Sequence, residues 1–138
     1  MVDVPELHKL LTNTKTRLKL RYGWEDDFVN SAVNEYHRFL LLHLKNPKTE
    51  IVPGKVVDKV WHDHILHTQS YMNFCEKMFG YYLHHHPDDA SSKKSGIDLT
   101  LILYEKTFGH KAPSQYWSKE LPPKKKEELS VQFGCSCK

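Results

Sequence analysis

Glycine is scarce: there are six in 138 residues, and they are scattered. No glycine-rich loop is present to cradle a phosphate, and no Gly-x-Ser-x-Gly elbow presents a nucleophile. Nucleotide-binding loops and that type of serine hydrolase are thereby removed. Cysteine is also scarce, and its three copies are Cys75, Cys135 and Cys137. An odd count with two thiols at the end is no disulfide framework, so a reducing, cytoplasmic compartment is expected. No apolar run approaches the roughly 18 residues of a membrane span. The opening MVDVPELHKLL lacks the charged start and apolar stretch of a secretory leader. Excess charge of one sign is missing too. Twenty basic residues face 17 acidic ones, for a net charge of +3. The runs KTRLKLR, Lys93-Lys94 and Lys124-Lys125-Lys126 read as solvated surface, and this balance does not point to nucleic acid. There is no internal repeat.

Histidine is what the chain has in quantity. Six of its ten histidines fall between Val56 and Pro87. Val56 to Phe79 contains neither proline nor glycine, and Gly80 stops it. The stretch predicts one helix, or two meeting near Thr68. At about 100° per residue, Val57, Val60, Trp61, His64, Thr68, Tyr71, Cys75 and Met78 share one broad face. Asp58 and His62 lie one turn apart on another face. His62 and His64 leave a regular helix roughly 200° apart. They therefore have different roles, or the helix is distorted there.

The remaining chain supplies helices to cover that face. Pro5 suits the first turn of a helix running to Gly23, with a break near Thr12-Asn13-Thr14. A helix from Glu25 or Asp26 carries Phe28, Ala32, Tyr36, Phe39 and His43, widened by Val29, Val33, Leu40 and Leu44. It stops before Asn46-Pro47, and His37 and His43 sit at its edges. Pro53-Gly54 then turns the chain into the His-rich segment. After Gly80, YYLHHHPDD reads as a loop, and Ala90 to Ser95 as a surface loop. Asp98 is the expected N-cap of a helix through Phe108, with Gly109 as its stop. Pro113 to Trp117 closes the domain, the indole covering the core. The expected architecture is mainly α: one compact domain, residues 1–120, of four to five helices around a central His-rich helix. Residues 121–138 are a Pro/Lys-rich boundary and short tail.

The string formed by Val57, Asp58, Val60, Trp61, His62, His64, Ile65, Leu66, Thr68, Tyr71 and Cys75, then Phe79-Gly80, then His84, His85 and Pro87, resembles the plant glycine-rich domain-containing protein family and its small bacterial relatives. Thr100, Tyr104, Phe108, Gly109, Pro113 and Trp117 resemble that family's second half, so the likeness spans roughly residues 25 to 117. The glycine-rich region of the larger plant members is missing here. The resemblance implies kinship rather than a particular reaction.

Neutral imidazole is the commonest metal ligand, and zinc accepts His and Asp in one shell. A return of the chain after Gly80 would carry His84, His85 or His86 back beside His62 or His64. Asp58, His62, His64, His85 and His86 are therefore the candidate ligands of a divalent transition metal, with zinc first and iron or copper as alternatives. The spacing is neither His-Glu-x-x-His nor paired Cys-x-x-Cys. Two function classes stand open. One is a metal-dependent enzyme, hydrolytic or oxidative, acting on a small-molecule or protein substrate. The other is a non-catalytic protein- or nucleic-acid-interaction module in which the His/Asp/Tyr cluster is structural. Cys75 falls on the buried stripe, where a thiol is inert. Cys135-Ser136-Cys137 is an unanchored pair of soft-metal ligands.

Overall fold

Six helices order the described residues: α1 (Pro5–Tyr22), α2 (Asp26–Lys45), α3 (Lys55–Leu66), α4 (Thr68–Met78), α5 (Ala90–Phe108) and α6 (Ser114–Trp117). The computed structural model describes residues 5–85 and 90–119, and of 5–11 and 90–95 only the helical backbone. No strand occurs among the described residues. The mainly α architecture is as expected, and α6 is a single turn added to the expected count.

The termini follow local chemistry. Gly23, Gly80 and Gly109 lie just beyond α1, α4 and α5, with φ of 71°, 80° and 85°, the left-handed conformation that glycine adopts without strain. The Gly80 N–H returns to the carbonyls of Cys75 and Glu76. Asp26 and Asp27 lie at the positive end of α2, and Asn46 ends it before Pro47. Thr12-Asn13-Thr14 does not break α1. Thr14 is fully buried there and accepts from Arg17, so tertiary contact overrides weak propensity.

The central stretch is two helices. His67, with φ −93° and ψ 74°, leaves helical geometry between α3 and α4. The break resets the helical phase. Val57, Val60, Trp61, His64, Tyr71, Cys75 and Met78 are buried as the wheel predicts, but Thr68 is exposed and Phe74 is buried instead.

Helix α3 packs against α2, α1, α4 and α6, while α5 packs chiefly on α2. The central segment is thus covered by α1, α2 and α6, and α5 stands chiefly against α2. Close approach explains the α6 contact. A Cβ on Gly54 would lie 2.2 Å from the Trp117 Cα, and the Lys55 N–H donates to the Ser118 carbonyl at 2.9 Å. Helix α5 begins at Ala90 rather than Asp98, so the expected loop over 90–95 is helical. Gly96 sits inside α5, where a Cβ would stand 2.8 Å from Val52 Cγ2. The Thr100 hydroxyl links the same two segments, donating to the Gly96 carbonyl and accepting from the Val52 N–H.

The core is aromatic at its centre: Tyr36, Phe39, Tyr71, Tyr104 and Trp117 are almost fully buried. No described helix is long and apolar enough to cross a membrane.

Candidate functional site

The segment after α4 turns back over α3, held through Leu83 and His85. The Leu83 side chain is buried. Its carbonyl accepts from the Tyr71 hydroxyl at 2.5 Å. Two residues on, the His85 ring lies flat on Trp61, with centroids 4.2 Å apart and planes 9° apart. In that position His85 Nε2 is 2.7 Å from Asp58 Oδ1. Asp58 is one-third exposed and His85 largely covered, so the pair stands at the protein surface with one wall of indole.

Carboxylate and imidazole together fix a tautomer. Asp58 accepts, so His85 Nε2 carries the hydrogen and Nδ1 keeps its lone pair. A histidine so oriented is a base or a metal ligand through Nδ1. Trp61 is itself held: its Nε1–H donates to the Tyr71 hydroxyl at 2.9 Å, and Phe39 packs at 4.7 Å.

The four expected ligands among the described residues, Asp58, His62, His64 and His85, do not converge. Asp58 and His85 meet. His62 follows Asp58 by one turn of α3 and is exposed. His64 points the other way, is 1% exposed, and has Nδ1 2.6 Å from the Tyr36 hydroxyl. His86 lies outside the described residues, as do Cys135, Cys137 and the 121–138 tail. Among the described residues, no three His, Cys, Asp or Glu side chains stand together as a ready shell. The separation of His62 from His64 follows from regular helical geometry up to Leu66, so no distortion brings them to one side.

His64 belongs to the core. The Tyr36 hydroxyl and Nδ1 share a hydrogen bond, and Nε2 has no hydrogen-bond partner among the described residues. The rings of Tyr71 and Phe74 lie 4.9 and 5.1 Å away. Burial pulls the His64 pKa down to about 3 and pushes the Tyr36 hydroxyl well up. Burial likewise lowers His43 to about 4. Cys75 is a buried free thiol, raised by the same cause.

Two charged clusters escape a reading based on apolar stripes. Glu35 is buried in α2, and its Oε1 accepts from Tyr104 and from the Trp117 indole at 2.7 and 2.9 Å. Arg38 donates to Glu35 Oε2 and to the Tyr104 hydroxyl. Burial first, and the Glu35 bond second, push the Tyr104 hydroxyl up to about 12. On the other side, Arg17 grips buried Asp63 with Nε and Nη2 at 2.8 to 3.1 Å. A signal for both carboxylates is present in the sequence. Glu35 sits at i+3 from Ala32, and Asp63 at i+3 from Val60, each a charge inside an apolar stripe.

A family described as UCP032817-like matches residues 6–131. Glycine-rich domain-containing protein 2 of Arabidopsis thaliana is 36% identical over 101 residues, and Glycine-rich domain-containing protein 1 of the same plant 34% over 101. Each match covers 67% of this chain but only 12% of the relative, so the chain corresponds to a small part of those proteins. No solved structure matches.

Proposed function

The chain belongs to the UCP032817-like family and is related to the plant glycine-rich domain-containing proteins, and from that premise we propose that it is a small metal-binding helical domain whose site is built on Asp58 and His85. The observation that carries this reading is the 2.7 Å contact between Asp58 Oδ1 and His85 Nε2. It is the arrangement in which a carboxylate holds a histidine with its other nitrogen ready for a cation. His85 Nδ1 is the first ligand in this reading, and exposed His62 is the second. Asp58 acts from behind His85 rather than as a ligand. His64 has no part, because Tyr36 and the aromatic core occupy it. Zinc suits a nitrogen-rich set, and iron or copper are the alternatives by ligand type. When bound, such a cation would polarise an oxygen of water or of a small-molecule or protein substrate, which is the hydrolytic form of the reading. We assign the domain to the cytoplasm, where the buried thiol of Cys75 stays reduced.

Titration of metal-free full chain with zinc, iron and copper tests this. One equivalent of zinc is expected at neutral pH, weakening below about pH 6 as imidazoles protonate near their usual pKa of about 6.5. His85→Gln should abolish stoichiometric uptake, and Asp58→Asn should weaken it about 10- to 100-fold. No uptake by the unaltered chain would overturn the reading. It would favour the second one, an interaction module with a structural His/Asp/Tyr cluster. The observation behind that alternative is the closure of the Glu35 and Asp63 clusters on core partners.

A further inference from the structure

We propose that Tyr71 is the positioning residue of the site, fixing the His85 imidazole by holding both the ring it lies on and the segment that carries it. Tyr71 belongs to α4 and is fully buried, so it touches no solvent-borne ligand itself. Its hydroxyl uses both of its capacities. It accepts from Trp61 Nε1 at 2.9 Å and donates to the Leu83 carbonyl at 2.5 Å. The first bond fixes the rotation of the indole, whose plane is the platform for His85. The second ties down the backbone two residues before His85, leaving few torsions between the tether and the imidazole. Asp58 then needs only to accept from a ring already in place, at 2.7 Å.

A role in core filling would require the phenyl ring alone. A Phe at this position would occupy the same volume. It would leave the Trp61 N–H and the Leu83 carbonyl without the hydroxyl they share. The phenol couples them, so the imidazole plane and the imidazole tether move together or not at all. That coupling is what a site held within a fraction of an ångström requires of the residues behind it. Its functional consequence rests on the reading of His85 as a metal ligand. The positioning itself does not, because tautomer and orientation are properties of the metal-free chain.

The experiment uses full-length chain with 15N-labelled histidine, at about pH 8, where a free imidazole is neutral. His85 is assigned through His85→Gln. In the unaltered chain His85 should be the Nε2–H tautomer. In Tyr71→Phe it should become a mixture approaching the free imidazole, and zinc affinity should fall about 10-fold or more. A structural role would lower thermal stability while leaving the His85 tautomer unchanged, and that result overturns the proposal. A shifted tautomer with unaltered zinc affinity would uphold the positioning and overturn the reading of His85 as the metal ligand. If Tyr71→Phe does not fold, Trp61→Phe removes the indole donor and keeps an aromatic face. The same tautomer shift is expected there, and an unshifted spectrum refutes the coupling. If the unaltered chain takes up no zinc, the metal reading falls and the tautomer spectra alone decide the role of Tyr71.

Discussion

His62 and His64 differ by two positions and by solvent. The first is exposed on the face of Asp58, and the second is enclosed by Tyr36, Tyr71 and Phe74. At this scale one hydrogen bond sets the chemistry. The Tyr36 hydroxyl and His64 Nδ1 satisfy each other at 2.6 Å with no water between them. Removing one partner strands the other in the core, whereas removing both leaves an apolar contact. His64→Leu alone should therefore cost about 1–3 kcal/mol, and Tyr36→Phe with His64→Leu should cost less than the sum of the two single changes. Urea unfolding of the two single variants and the double variant measures the coupling. Additive losses would show that the 2.6 Å contact contributes nothing to stability.

The helices were legible because their punctuation is chemical. Pro5, Gly23, Asn46-Pro47, Gly80 and Gly109 each mark a boundary near where it falls. What was illegible is what a residue meets across the fold. Residues 90–95 read as a surface loop in sequence, yet α5 runs through them and through Gly96, whose missing Cβ lets Val52 pack there. His67 is a legible junction, but the sequence does not give the angle through which α4 turns, and Thr68 and Phe74 exchange places as a result. The two close-packed glycines should respond differently to a methyl group. On Gly54 it would meet the Trp117 backbone at 2.2 and 2.4 Å, and backbone cannot rotate away. On Gly96 it meets one Val52 methyl at 2.8 Å, and alanine gains about 1 kcal/mol over glycine inside a helix. Gly54→Ala should thus cost about 3 kcal/mol or more, pushing α6 off α3, and Gly96→Ala about 1 kcal/mol or less. Thermal unfolding followed by circular dichroism separates them, and equal losses would refute the distinction.

For the whole molecule, a return of the chain after Gly80 to the central helix follows from a helix, a glycine stop and a short segment. It is expected beside His62 or His64 with His84, His85 and His86 undistinguished, whereas His85 meets Asp58. The selection among histidines was not visible, since it depends on which face α1, α2 and α4 cover. That cover has a consequence for acid stability. Burial holds His64 at about 3 and His43 at about 4 in the folded chain, against about 6.5 when unfolded. Both are neutral in either state above about pH 6.5, so their full stabilisation is present there. As pH falls below that value the unfolded chain takes up protons that the folded chain refuses, and stability drops. The loss continues toward the folded values of about 4 and 3, where it levels off as the native rings protonate. Each histidine contributes a slope of at most about 1.4 kcal/mol per pH unit in that window. Unfolding free energy measured by urea titration from neutral pH down to about pH 4.5 should fall with a slope approaching two protons, plus any carboxylate contribution at the acid end. In the Tyr36→Phe and His64→Leu double variant the slope between about pH 6 and 5 should drop by about one proton. An identical slope in that variant would mean that His64 protonates as readily in the folded chain as in the unfolded one. The aromatic enclosure around its ring would then not exclude the charged form.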